Sequence, residues 1–293
     1  MTLLRGGMRW LVVGAALTVL VSGLGLINSV WTGAQQQEIE VCPRYQGSCP
    51  YTSIAAAVRD APDGATIVIW PASYNEPPMD ITKALTFKVK KRGLVSIFPT
   101  LGGRYNGLFR IAVGDKNKWV SFLGDSESNF DINGGSDVKL VVFYIKSNAR
   151  FASVAVSGRG STEAVIFAEL WEDMRLEFVN GQIGGGKVYG LVNQSSPKSW
   201  VQVKGTLVNV NAMGIRNLTG SVDVNGNSFI SNDTGVYAGE TSDLGRAWIE
   251  NNSFEKNGWG IFAKTEYNIV RCRNNTFKNN TNNMNDVAAQ VCS

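Results

Sequence analysis

Asn227-Ser228-Phe229-Ile230-Ser231-Asn232, Asn252-Ser253-Phe254-Glu255-Lys256-Asn257 and Asn275-Thr276-Phe277-Lys278-Asn279-Asn280 are three copies of one short template. Phe229, Phe254 and Phe277 recur after 25 and 23 residues, and so do Asn232, Asn257 and Asn280. A second block follows the first two copies: Gly235-Val236-Tyr237-Ala238 matches Gly260-Ile261-Phe262-Ala263. A period in the low twenties, carried by short β-type segments, is the signature of a solenoid that stacks one coil per repeat. Before each copy the residues alternate, as in Val222-Asp223-Val224, Ala247-Trp248-Ile249 and Val270-Arg271-Cys272. Such alternation belongs to strands with one buried face. Asparagine tolerates left-handed backbone and bonds to neighbouring main chain, which suits it to the corners between strands. In a stack, each corner asparagine can also bond to those above and below it.

Aligning the repeats fixes which side chains share a face. Val222, Ala247 and Val270 are expected to stack inside, as are Val224, Ile249 and Cys272. Asp223, Trp248 and Arg271 form one outward column, and Asn225, Glu250 and Arg273 another, with rungs about 4.8 Å apart. One coil back, Val201 and Val203 point in, with Gln202 and Lys204 out. Before that, Leu176 and Phe178 point in and Glu177 out.

Outward from this centre, residues 1–34 carry Arg5 and Arg9 ahead of an uncharged run over 10–31. That pattern is a secretory signal or an uncleaved membrane anchor. Twenty-two uncharged residues reach across a bilayer, while Thr32-Gly33-Ala34 offers a small-residue cleavage site. Either outcome exports the body of the chain, secreted or held at the outer face of the membrane. Four cysteines agree: an even count in an exported chain favours two disulfides, Cys42–Cys49 and Cys272–Cys292. No histidine exists and the cysteine spacing does not fit zinc knuckles.

Residues 51–78 hold the second informative stretch. Thr52 or Ser53 can cap a short helix whose Ile54, Ala57, Val58 and Ala61 share a face. Pro62-Asp63-Gly64 ends it, and residues 66–70 are a β-branched strand. A solenoid has open apolar ends that need covering, so this helix is expected to cap the first coil. The segment, with Pro71, Tyr74 and Glu76 after the strand, resembles the opening of secreted proteins in the pectin-lyase-like, right-handed parallel β-helix superfamily. The resemblance covers this opening and the Asn/Phe/Gly repeats. It implies an all-β, right-handed parallel β-helix with a short N-terminal capping α-helix.

Between these stretches, apolar runs at 81–99, 119–123, 138–145, 151–156, 164–170 and 176–179 supply further strands. Gly184-Gly185-Gly186 reads as a turn, because Lys187 alone does not make a phosphate loop. Lys83, Lys88, Lys90, Lys91 and Arg92 cluster, and a solvated face is the plain account of such a run. No Pro/Ser-rich linker interrupts residues 40–293, which therefore read as one domain of roughly ten coils. The sequons at Asn193, Asn217, Asn232, Asn251, Asn274 and Asn279 read as turn structure.

A net charge of +4 with mixed signs lacks the concentrated basic face that nucleic acid requires. The outward columns offer the best ligand surface: Trp248 to stack a sugar ring, with Asp223, Glu250, Arg271 and Arg273 around it. The same Glu250 and Arg273 would also make an ordinary surface ion pair. Enzymes of the superfamily that the chain resembles carry their sites on an outward face. There, lyases pair calcium-binding acids with a basic residue, hydrolases use aspartates, and esterases use two aspartates with an arginine. The hydrolase and esterase segments are absent, and Phe130-Asp131-Ile132-Asn133 is a faint echo of the latter. The expectation is an exported, non-catalytic polysaccharide-binding or structural module without cofactor. The alternative is a lyase or glycosidase of acidic polysaccharide, with calcium entering only for a lyase. Carboxylates gathered with an arginine in a groove would favour the enzyme, and carboxylates spread along the rod the binder.

Overall fold

Each coil is three short strands, and every pairing between coils is parallel. Period-2 alternation gives each strand one apolar face, and stacking coil on coil buries all of them in one continuous core. The computed structural model describes residues 37–44, 49–100, 105–135, 138–158, 162–239 and 245–292. The signal or anchor expected at 1–34 lies outside them. The first sheet runs from Glu38–Val41 and Thr66–Ile69 to Ile269–Arg273. The second runs from Ala72–Glu76 to Thr276–Lys278, and the third from Met79–Ile81 to Asn282–Met284. The result is an all-β solenoid of about nine turns, one fewer than the period gave. Early coils are longer than the template: Thr86 pairs with Ser121, one rung on but 35 residues later.

The repeat fixes the core as expected. Phe229, Phe254 and Phe277 stack with ring centroids 4.8 and 5.2 Å apart. Phe277, in the last coil among the described residues, is only partly buried. A second stack, Phe87, Phe122 and Phe151, fills the N-terminal half at 4.3 and 5.3 Å. Gly235 and Gly260 recur for a steric reason: a Cβ on Gly235 would lie 2.7 Å from the Gly260 carbonyl oxygen and from the Phe254 ring.

The corners differ from expectation in one detail. The left-handed residue is the one before the ladder asparagine: Asn251 and Asn274 at one corner, Ser231, Lys256 and Asn279 at the other, with φ between +53° and +57°. The next asparagine turns its amide inward. Asn227, Asn252 and Asn275 form one ladder, and Asn211, Asn232, Asn257 and Asn280 a second, each buried except at its last rung and each amide donating to the next at 3.0–3.1 Å. Asn193 and Asn217 are buried inside the third sheet rather than at corners, Asn193 donating to Asn217 at 2.7 Å.

Two strand readings need correction. Val270 does not stack under Ala247: the register shifts, Ile269 takes the inward place, and Val270 is 47% exposed. The inward places of Val222, Ala247, Val224, Ile249 and Cys272 stand. The apolar run 151–156 is two strands, Ala149–Ala152 and Val154–Ser157, in different sheets, because left-handed Ser153 turns the chain between them. The basic cluster at 83–92 disperses as a solvated face: Lys90 meets Glu40, Arg92 meets Glu127, Lys91 lies over Trp70, and Lys83 bonds the carbonyls that end the cap helix.

The cap is a helix over Ile54–Asp60, α1, which buries Ile54, Ala57 and Val58 against the first coil. Ser53 caps it, and the Glu76 carboxylate accepts from the Ile54 and Ala55 N–H groups at 2.7 and 3.0 Å and from the Ser53 hydroxyl at 2.8 Å. Thus Glu76, buried in the second sheet, supplies the negative charge that a helix N-terminus favours. At the other end Asp286–Val291, α2, begins at the Asn285 cap and packs on the last coils. Both disulfides form as expected, with Cα atoms 5.8 Å apart for Cys42–Cys49 and 4.5 Å for Cys272–Cys292.

Candidate functional site

The surface expected around Trp248 lies on the outward face of the first sheet. Gln202, Asp223, Trp248 and Arg271 occupy one column, and Lys204, Asn225, Glu250 and Arg273 the next. Glu250, largely buried, lies 2.6 Å from the Arg273 guanidinium and 3.6 Å from that of Arg271. Asp223 accepts from Gln202 at 3.1 Å. The structure therefore brings all five residues together, Glu250 as the shared partner of two arginines. It adds one that the alignment passed over. Trp200, two rungs before Trp248, leans against it with ring centroids 4.8 Å apart and 38° between planes.

A different face holds the groove. The outward column of the third sheet reads Asp80, Arg110, Tyr144, Phe167, Val192, Arg216, Tyr237 and Phe262. Around its first half lies a groove of about 570 Å³. Tyr144, Phe167 and Tyr189 provide aromatic surface, Met79 and Leu140 aliphatic surface, and Asp80, Arg110 and Glu163 charge. Arg110 stands 3.8 Å from Asp80. Arg216 lies over the Tyr189 ring at 4.8 Å and bonds its hydroxyl. Farther along, Tyr237 and Phe262 stack at 5.1 Å. These residues escaped the sequence reading, although one signal pointed to them. Tyr237 and Phe262 are the outward residues of the second repeated block, and stepping back by 21–25 residues gives Arg216, Val192, Phe167 and Tyr144.

A titratable cluster fixes one wall of this groove. The Tyr144 hydroxyl donates to Glu169, and Lys146 lies 3.1 Å from the same carboxylate and 5.1 Å from the Tyr144 ring centre. The bond from Tyr144 holds the Glu169 carboxyl below its usual range, with Lys146 adding to the effect. Burial pushes the Tyr144 phenol up, helped by the hydrogen bond to Glu169. Lys146 is raised by Tyr144 first and Glu169 second. A neutral phenol tied at its oxygen presents a fixed ring face, which is the geometry a sugar ring stacks on.

Charge is sparse here. Asp80 and the residue after Glu163 belong to strands three rungs apart, about 14 Å at 4.8 Å per rung. Among the described residues no three acidic or cysteine side chains gather as a metal site.

No protein-family profile and no curated protein sequence matches the chain. Solved structures do. A pectin methylesterase in complex with a hexasaccharide is 14% identical, with a TM-score of 0.55 over 87% of this chain and 95% of that one. A pectin methylesterase from Erwinia chrysanthemi is 15% identical, with a TM-score of 0.52 over 88% and 96%. The shared fold is a right-handed parallel β-helix. An alginate lyase from Paenibacillus also matches, 9% identical with a TM-score of 0.48 over 84% and 99%. At such identities the likeness carries the β-helix fold and leaves activity to the site.

Proposed function

We propose that this β-helix is an exported protein that takes an acidic polysaccharide lengthwise in the groove of the third sheet and acts on it there. The observation that carries the reading is the groove itself. It is elongated along the stack, with ring faces at Tyr144, Phe167 and Tyr189 and the Asp80–Arg110 pair within it. Ring faces suit pyranose stacking, and an arginine suits a uronate carboxylate. One carboxylate, Asp80, meets an arginine in this groove, a contact that favours an enzyme over a passive binder. The shared fold with pectin methylesterases supports the same choice. Asp80 is the group placed to act as base or nucleophile, and Arg110 holds it and meets substrate charge. Export rests on residues 1–34 and on the two disulfides.

The non-catalytic reading keeps one observation of its own. Two-carboxylate hydrolysis needs acid and base about 5–9.5 Å apart, and Asp80 and Glu163 stand farther than that along the stack. A calcium-dependent lyase would call for a set of carboxylates that the described residues do not gather. The test is a screen of polygalacturonate and its methyl ester, with and without calcium, reading reducing ends, unsaturated products and released methanol. Asp80→Asn is expected to remove any product while leaving binding. Binding without product in the parent chain sinks the enzymatic part, and loss of neither binding nor product in Tyr144→Ala sinks the groove.

A further inference from the structure

The first sheet presents a second outward surface, on another face of the prism from the groove. Trp200 and Trp248 come from strands separated by one intervening rung and from different columns, yet their rings meet over that rung. Each is only partly buried. Indoles leaning together this way make a ridge of apolar surface standing on a sheet face. Around the ridge the columns place Arg175, Arg246, Arg271 and Arg273. Two carboxylates stand among them, Asp223 tied to Gln202 and Glu250 shared by Arg271 and Arg273. Glu177, on the same face, is taken by Arg150 at 2.6 Å. Arg175 and Arg246 are exposed, with no ion pair among the described residues. Asp173 and Lys198, beside Arg175 and Trp200, are met by Lys116 and Glu172, so four guanidinium groups against two remaining carboxylates leave the surface positive.

We infer that this face is a second polysaccharide-binding surface, separate from the groove, which takes a carboxylated sugar polymer with a ring against the Trp200–Trp248 ridge. The occupant follows from the charge. A neutral glycan would use the indoles and leave the arginines idle, whereas a polymer bearing a carboxylate on each sugar meets guanidinium groups repeated along the rungs. Nothing in the core requires the arrangement, because Val201, Val222, Val224, Ala247 and Ile249 already fill the inward face of these strands. The two surfaces divide the labour. The groove holds the stretch of polymer under reaction, and the ridge holds another stretch and keeps the protein on its substrate.

The experiment measures polygalacturonate binding by affinity electrophoresis and by tryptophan fluorescence, with neutral arabinan as the contrast. In the Tyr144→Ala variant, which disables the groove, binding to polygalacturonate is expected to persist. Trp248→Ala in that background is expected to weaken it about tenfold or more, and Trp248→Phe to retain most of it. Arg246→Gln, a surface change that leaves the core alone, is expected to weaken binding and flatten its salt dependence. Equal binding by Trp248→Ala and its Tyr144→Ala parent overturns the ridge. So does complete loss of binding in Tyr144→Ala alone, which leaves the groove reading intact. Equal affinity for arabinan overturns the acidic occupant, and a chain that binds no polygalacturonate at all overturns both surfaces.

Discussion

Asn252 shows how a single residue type holds this rod together. Its amide donates to the Val224 carbonyl and to Asn275, and its oxygen accepts from both the backbone and the side chain of Asn227. Three of the four bonds are buried and the one to Asn275 partly so, and truncation strands several groups at once. Asn252→Ala is expected to destabilise by about 2–5 kcal/mol, seen as a fall in denaturant midpoint. Asn251, the exposed neighbour, should tolerate Gly with little change, since its left-handed φ is what the corner needs.

Glu169 carries the other prediction at this scale. Its carboxyl is held below the ordinary 4.5 by the Tyr144 hydroxyl and Lys146, so the charged form is the one that folding favours. The stabilisation is therefore complete above about pH 4.5 and is lost as pH falls through the lowered folded value. Thermal melts of the parent and Glu169→Gln should differ most near neutral pH and converge in acid. A gap that widens as the pH drops would mean that Glu169 is not the acceptor for Tyr144.

At the scale of elements, the two ends of the solenoid are solved with different means. The N-terminal coil is covered by α1, anchored by the Glu76 carboxylate at its first turn. Val58 sits under that helix against the core. Val58→Asp puts an unpaired charge there and is expected to cost about 3 kcal/mol or more, whereas Arg59→Gln on the exposed side should melt with the parent. An unchanged melting temperature in Val58→Asp would show that the helix does not seal the coil.

Taken whole, the molecule is a stack in which each coil is stabilised mainly by its neighbours. The last coil lacks a neighbour on one side and has α2 and Cys272–Cys292 instead. A disulfide across 20 residues is worth about 3 kcal/mol through the unfolded chain. Cys272→Ser with Cys292→Ser should therefore loosen the C-terminal coils first, visible as faster amide exchange at Thr276–Lys278 while Thr86–Val89 stays protected. Uniform exchange across the rod would mean that the stack opens only as a unit.

Sequence by itself determined the solenoid, the cap helix, the inward columns around Phe229 and Val224, and the pairing of the cysteines. Each is a local or periodic property: the alternation that selects a face, the asparagine and phenylalanine spacing that sets the coil, and the amphipathic run that seals the end. Tertiary structure decided the rest. Val270 turned outward because a register shift between neighbouring coils is invisible in either strand alone. The run over 151–156 split between two sheets because one left-handed residue bends it. The groove could not be read as a whole because Asp80 and Arg110 lie in coils of 30 and 34 residues, where the period that reaches Tyr144 and Phe167 is lost. Trp200 meets Trp248 across columns and rungs, a contact that depends on how the side chains lean and not on spacing along the chain.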